Sequence, residues 1–341
     1  MSEHDAMLYK PIEGQKVLCE LCPHACIIPP GKRGFCRVRQ NVAGKLKSLN
    51  YGKLVALGTD PIEKKPLFHF LPGTRSLSIA ASGCNFRCSF CQNWQISQQP
   101  GRNDSIAGEI ATPERVVEAA IAGQCSSISY TYTEPTIFFE FAYDTARLAK
   151  EQGLKNCFVT NGFISLKAID KITRSGLLDA VNVDLKCFRQ ETYRKVMKGS
   201  LQPVLDAICA LHAAGVWVEI TTLIVPGMND SASELGDIAA FIAEKLSVSV
   251  PWHVSRFHGD YEMSQRSATP IESLNLACRI GKDASLKYVY GGNAPGKTDE
   301  KTHCPQCNKI VIDREGFLLH EILLRNGKCP DCDEVIEGIW R

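Results

Sequence analysis

The sequence predicts an α/β protein built on a partial (β/α)6-type barrel. A small cysteine-rich segment precedes the barrel and a second cysteine-paired tail follows it. Three observations carry this reading. Between residues 73 and 296, short β-rich runs alternate with amphipathic helical runs. Residues 1–72 and 297–341 do not share that alternation, and the Gly/Pro-rich stretch "GGNAPGKTDE" marks where the tail begins. Most of the sixteen cysteines fall into three clusters, one in each of these parts.

The candidate strands are "SLSIAA" (76–81), "SISYTY" (127–132), "NCFVT" (156–160), "AVNVDL" (180–185), "VWVEITTL" (216–223), "WHVSRF" (252–257) and "KYVYG" (287–291). Helix signals separate them. Thr112 is an N-cap, Pro113 suits the first helical position, and Gly123 suits the stop. Further helices are expected from Pro135 to Gly153, Ser165 to Gly176 and Pro203 to Gly215, and after Thr269-Pro270. Their apolar residues recur at three- and four-residue spacing, as in Leu166, Ile169 and Ile172. Such alternation implies parallel strands with right-handed crossovers. A doubly wound open sheet is the alternative architecture. Both place reactive groups at the C-terminal ends of the strands.

Composition narrows the class. With 44% hydrophobic and 22% charged residues, the chain is an ordinary globular protein. A formal net charge of +2 gives no broad field for nucleic acid or an anionic membrane. The start "MSEHDAMLYK" has no apolar signal region, and no apolar run approaches the ~18 residues of a membrane helix. A cytoplasmic protein is expected. Disulfides do not persist in a reducing cytosol, so clustered thiols there point to metal binding. Cys125, Cys157, Cys187, Cys209 and Cys278 are scattered and read as small buried hydrophobes. Cys187 follows a strand end and could border a substrate space.

The stretch "ASGCNFRCSFCQNW" (81–94) places Cys84, Cys88 and Cys91 in a loop directly after the first core strand. Three thiolates from one short loop can hold a four-iron cluster with one iron left open. The alternative is a closed structural site whose fourth ligand comes from elsewhere.

"CNFRCSFC" resembles the C-x3-C-x-aromatic-C signature of radical S-adenosylmethionine (radical SAM) enzymes. Nearly the whole chain looks like one branch, the AmmeMemoRadiSam system radical SAM enzymes, distantly related to pyruvate formate-lyase activating enzymes. The resemblance rests on "CELCPHACIIPPGKRGFC", "GCNFRCSFCQNWQIS", "YTEPTIFFE", "VTNGF", "VNVDLK", "LIVPGMND", "WHVSRF", "VYGGNAPG" and the terminal cysteine pairs. It implies a partial barrel of the radical SAM kind and a 4Fe–4S cluster on Cys84, Cys88 and Cys91. It also implies reductive cleavage of SAM to a 5′-deoxyadenosyl radical that abstracts hydrogen from a substrate not visible in the sequence. Such chemistry needs an electron donor such as flavodoxin or ferredoxin. The family name implies Memo-like and AMMECR-like partner proteins.

The resemblance further implies a set of SAM contacts. Phe90 would pack on the adenine. Relatives often carry Gly-Gly-Glu-Pro where this chain has "YTEP". Tyr132 and Thr133 replace the glycines, but Glu134 remains to meet the SAM amino group. Read locally, Glu134 is equally a helix N-terminal acid. Asn161 ends the third strand. Asp184 and Lys186 end the fourth, where two charges suit the methionine zwitterion; a surface ion pair is the plainer reading. Thr222, beside Thr221, and His253, with Arg256 and His258 nearby, complete the candidates. The activating enzymes carry Asp before Thr-Asn-Gly, whereas this chain has Val159. That departure puts an activating-enzyme cation site in doubt and weakens the reading as a glycyl-radical-enzyme activating enzyme. A non-catalytic electron carrier or metal-binding module is the third reading.

Cys304-x2-Cys307 and Cys329-x2-Cys332, with twenty-one residues between the pairs, form a zinc-ribbon pattern. A structural zinc, or a rubredoxin-like iron, would fold a tail too small for its own core. Its balanced charge gives no basic stripe for nucleic acid. Cys19, Cys22, Cys26 and Cys36, with His24 among them, permit zinc or an auxiliary cluster.

Overall fold

The computed structural model describes residues 4–101 and 105–340. Seven strands form its centre: β1 (Arg75–Ala81), β2 (Ser127–Tyr130), β3 (Lys155–Thr160), β4 (Ala180–Asp184), β5 (Trp217–Ile224), β6 (Trp252–Arg256) and β7 (Val289–Gly292). Each pairs parallel to the next in chain order. A doubly wound sheet reverses its order part-way. This one does not, so it is the partial-barrel architecture. An unreversed order with right-handed crossovers puts the connecting helices on one side. The barrel stays open because its edges do not meet: β7 is one edge and antiparallel strands flank the other.

Those antiparallel strands were not legible. Lys53–Pro61 pairs with β1, and Glu109–Ile110 pairs outside it. Lys53–Pro61 lies in the stretch that sequence analysis groups with the N-terminal segment. It turns back onto β1 without a crossover helix, so the alternation gives no sign of it.

The helices are α1 (Pro113–Ala122), α2 (Phe139–Glu151), α3 (Leu166–Arg174), α4 (Gln202–Ala213), α5 (Ala232–Phe241) and α6 (Ile271–Asp283). Local chemistry explains their starts. Thr112 accepts from the Arg115 backbone N–H with Pro113 at the first position, and Ser165 accepts from Ala168 N–H. In α3, Ala168, Ile169 and Ile172 are buried, whereas Leu166, at the first position, is 55% exposed. No described helix is long and apolar enough to cross a membrane.

Two small antiparallel sheets form in the N-terminal segment, one of 9–12, 16–19 and 27–28, the other of 4–5, 39–42 and 45–48; Cys19 ends a strand of the first, and Cys22, Cys26 and Cys36 lie in the connections. The tail forms a third from 302–303, 310–315 and 318–322. The tail is packed onto the barrel. Phe68, Tyr288 and Tyr290 share a buried cluster with Cys304, Val311, Cys329 and Ile336. Ile339 lies beside residues 69–71, with Leu71 N–H donating to Ile339 O (2.7 Å) and Ile339 N–H to His69 O (2.7 Å).

His69 locks this junction. Its Nδ1 lies 2.6 Å from the Glu337 carbonyl, so Nδ1 must carry the proton. Its Nε2 then accepts from the Tyr290 hydroxyl at 2.6 Å. Burial pushes its pKa down to about 4. An unfolded histidine takes its proton near pH 6.5. The folded state therefore has full stability from this group above that pH and loses it as pH falls toward 4, by roughly 3 kcal/mol. Denaturant midpoints measured between pH 7 and 4.5 should fall more steeply for the wild type than for His69→Gln. Coincident slopes would remove His69 as the linked group.

Candidate active site

The site begins at Gly83, whose φ of +113° leads the chain out of β1. A Cβ there would lie 3.0 Å from Val38 Cγ1 and 3.4 Å from Cys36 O, so only glycine fits without displacement. Cys84, Cys88 and Cys91 follow and line a cavity of about 310 Å³. The ends of β3 (Val159, Thr160), β4 (Asp184), β6 (Ser255) and β7 (Gly291, Gly292) line it too. This is the C-terminal face expected for barrel chemistry.

Two of the three sulfurs have polar neighbours. Phe86 N–H donates to Cys84 Sγ (3.3 Å), Asn161 Nδ2 lies 3.7 Å from the same sulfur, and Cys91 Sγ lies 3.2 Å from Ser97 Oγ. Burial pushes the Cys88 thiol up to about 12 and raises Cys84 well above the usual thiol range. Such thiols become thiolates when a metal supplies the compensating charge. Their sulfurs do not gather onto one point, as ligands of a single ion would. The described group whose ligand atoms all lie within 4.8 Å of one another is at the other end of the chain. A four-iron cluster gives each thiolate its own iron and does not need the sulfurs to touch.

Five of the expected cofactor contacts line this cavity: Phe90, Asn161, Asp184, Lys186 and His253. Lys186 Nζ pairs with Asp184 Oδ2 at 2.9 Å and sits 5.9 Å from the Phe90 ring centre. Burial alone would lower the Lys186 pKa; Asp184 and Cys88 outweigh it and hold the ammonium above the ordinary lysine range.

Two of the expected contacts lie outside this cavity lining. Glu134 does not line the cavity. Its fully buried carboxylate accepts from Thr136 N–H (3.0 Å), Thr136 Oγ1 (2.6 Å), Thr160 Oγ1 (2.7 Å) and Asn161 N–H (2.8 Å). It caps the turn at Pro135 and fixes Asn161, which does face the cavity. Thr222 points the other way. Side chains alternate along a strand, so Thr221 faces in, in register with His253. Thr222 Oγ1 donates to Leu185 O (3.0 Å) and accepts from Trp252 Nε1 (3.0 Å). Cys187 is buried, with Sγ 3.7 Å from Arg189 O, and is not part of the cavity lining. Arg256 and His258 also lie outside it; Arg256 Nε donates to Thr269 O at 2.9 Å.

The structure adds residues that the motifs did not flag. Tyr132 has a φ of +63°. A left-handed tyrosine costs about 1 kcal/mol. Its hydroxyl donates to Asp60 Oδ2, which also receives Lys65 Nζ (2.6 Å) and Ser78 Oγ (2.8 Å). Lys64 Nζ holds the other Asp60 oxygen at 2.8 Å. Burial would raise the Asp60 pKa; these donors reverse that and hold it well below the usual carboxylate range. Glu63 also lines the cavity. One of its oxygens accepts from Gly73 N–H (2.6 Å), while the buried Oε2 has no partner.

The opposite wall is built by the tail. Glu300 and Phe317 line the cavity beside Phe68, His253 and Tyr290. Arg314 stacks over Phe68 (4.3 Å) and donates to Phe68 O (3.1 Å), Glu300 O (3.0 Å) and Thr302 Oγ1 (2.8 Å). His253 Nε2 meets Glu219 Oε2 at 2.7 Å.

Cys304, Cys307, Cys329 and Cys332 come together as one compact set, with Sγ–Sγ distances of 3.5 Å (Cys304–Cys332) and 3.6 Å (Cys307–Cys329). Sulfurs sharing one tetrahedral metal stand about 3.8 Å apart, so this ribbon can hold a metal ion. Cys19, Cys22, Cys26 and Cys36, with His24, line a separate small cavity.

Comparison with known proteins agrees with this geometry. Residues 78–242 match the Radical SAM superfamily. The chain is 45% identical over 335 residues to an uncharacterized protein of Methanocaldococcus jannaschii, covering 98% of each. It is 28% identical over 193 residues to the pyruvate formate-lyase 1-activating enzyme of Escherichia coli, covering 53% of this chain and 75% of that one. A radical SAM methyltransferase of Sphaerobacter thermophilus shares the fold, with 16% identity, a TM-score of 0.52 and coverage of 70% and 71%. The superfamily match runs from β1 to the end of α5 and includes the whole three-cysteine loop, so the chain belongs to the radical SAM superfamily, as an enzyme related to those that activate glycyl-radical enzymes.

Proposed function

We propose that this enzyme holds a 4Fe–4S cluster on Cys84, Cys88 and Cys91, binds SAM at the open iron, and takes hydrogen from a substrate lodged between that loop and the ribbon. The observation that carries the reading is that three cysteines, all from one loop, line the cavity at the C-terminal ends of the strands. Cluster and SAM, when bound, supply a 5′-deoxyadenosyl radical. The chain's own groups bind, orient and exclude water. Phe90 offers an apolar face, the Asp184–Lys186 pair offers both charges to a zwitterion, and Asn161 is held in place by Glu134. Glu63 and Glu300 are buried carboxylates on the substrate side, and burial raises both pKa values.

A one-electron donor of the flavodoxin or ferredoxin kind would reduce the cluster. The motif resemblance extends the proposal to the AmmeMemoRadiSam branch, to Memo-like and AMMECR-like partners, to a cytoplasmic setting and to zinc in the ribbon. Activation of a glycyl-radical enzyme is the second reading, favoured by the Escherichia coli relative and opposed by Val159 on the cavity wall.

The test is anaerobic reconstitution followed by dithionite and SAM. Release of 5′-deoxyadenosine and methionine is expected; none would overturn the proposal. A glycyl-radical signal on an added partner would select the second reading.

A further inference from the structure

We propose that Cys19, Cys22, Cys26 and Cys36 hold a second iron–sulfur cluster, a four-iron cube closed by four thiolates, and not a zinc ion. The spacing of the four residues allows either, so geometry must decide. Sulfurs on a single zinc stand about 3.8 Å apart and touch one another. The ribbon cysteines do this: their ligand atoms all lie within 4.8 Å. The N-terminal four are not gathered in this way, and neither are Cys84, Cys88 and Cys91. Thiolates on a four-iron cube stand roughly 6 Å apart, because each binds a different iron.

The space between the sulfurs agrees. Touching sulfurs leave no room at their centre for a body the size of water. All four N-terminal cysteines line one cavity of about 10 Å³, about the room of one water.

A separate observation concerns Arg39. It lines the same cavity, is 1% exposed, and its Nε and Nη1 have no hydrogen-bond partner. Its Nη2 is committed to Glu140 Oε1 (2.9 Å) and to Met7 O. Two buried N–H donors without acceptors are costly. The inorganic sulfides of a cube are acceptors that a zinc–thiolate core lacks, and hydrogen bonds to cluster sulfur are a common means of setting its potential. Phe35 N–H already donates to Cys26 Sγ at 3.4 Å.

The site also adjoins the three-cysteine loop. Arg87 joins the two: its guanidinium donates to Phe35 O on one side and to Cys84 O (2.8 Å) on the other. His24 Nε2 donates to Asn85 O at 2.8 Å. A cluster closed by four thiolates has no open iron. It would store and pass electrons next to the loop that needs them, and would not bind SAM.

The triple variant Cys84→Ala/Cys88→Ala/Cys91→Ala isolates the site without requiring the SAM reading to hold. After anaerobic reconstitution it should retain about four irons and four acid-labile sulfides per chain. On reduction it should show an electron paramagnetic resonance signal that added SAM leaves unchanged. Zinc beyond the ribbon's share with no sulfide would overturn the inference, as would a signal that SAM perturbs. If the variant does not fold, iron, sulfide and Mössbauer analysis of the wild type decide: about eight of each supports the second cluster, and about four of each overturns it.

Discussion

Cys88→Ala is expected to leave a folded protein that no longer cleaves SAM. The side chain lost is small, and the loop keeps its other anchors. Arg87 N–H still donates to Met197 O at 2.9 Å, and the Arg87 guanidinium still holds Cys84 O and Phe86 O. Stability should fall by only about 1 kcal/mol. Two thiolates cannot hold the cube in place, however, so the electron path to the sulfonium is gone. Release of 5′-deoxyadenosine should drop by at least about three orders of magnitude, more than about 4 kcal/mol of barrier. The matched control is Cys187→Ala, also a buried cysteine near a strand end but outside the cavity lining. It should cleave SAM at close to the wild-type rate. Iron content and circular dichroism measured alongside separate loss of the cluster from loss of the fold. A Cys88→Ala protein that still cleaved SAM would mean the cluster sits elsewhere.

The contrast between these two cysteines shows what sequence can convey. Cys88 was legible because C-x3-C-x2-C is a local pattern, and the strand before it was legible from six residues. Cap residues such as Thr112 and Ser165 were legible for the same reason. What failed was facing. Thr222 is the expected contact, whereas Thr221 is the one that lines the cavity. Glu219 is a charge in an otherwise apolar run, and residues two apart share a face. Glu219, Thr221 and Leu223 form that face, and the last two line the cavity. Glu134 failed differently. Its local role at a helix start is real, and that role consumes the carboxylate. The remaining wall could not be read at all, because its partners lie far apart in the chain. Glu219 to Phe68 spans 151 positions and Arg314 to Phe68 spans 246. No local pattern encodes such pairings; they emerge only when the tail folds back over the open barrel.

Glu219→Leu should be the most damaging single change outside the cysteines. The carboxylate is fully buried and both oxygens are used twice. Oε1 accepts from His69 N–H (2.9 Å) and Trp217 Nε1 (3.0 Å), and Oε2 from Phe68 N–H (3.0 Å) and His253 Nε2 (2.7 Å). Burial would raise its pKa, but His253 and the other donors outweigh this and hold it below the usual carboxylate range. Leucine fills much of the volume but strands all four donors. Removing one partner of a buried charged network costs roughly 3–5 kcal/mol. The cost would fall on a defined place. Residues 68 and 69 carry the Arg314 stack and the Ile339 pairing, so the ribbon's dock on the barrel loosens with them. Glu219→Gln should recover only part of the loss, because its amide nitrogen would face two donors. The three-cysteine loop has its own anchors, Arg87 on Cys84 O and Asn85 on Phe163 O and Asn161, so iron at that loop should persist while the denaturation midpoint falls. A Glu219→Leu protein as stable as the wild type would show that this carboxylate does not hold the cavity wall, and the account of how the tail closes the site would have to be rebuilt around Arg314 alone.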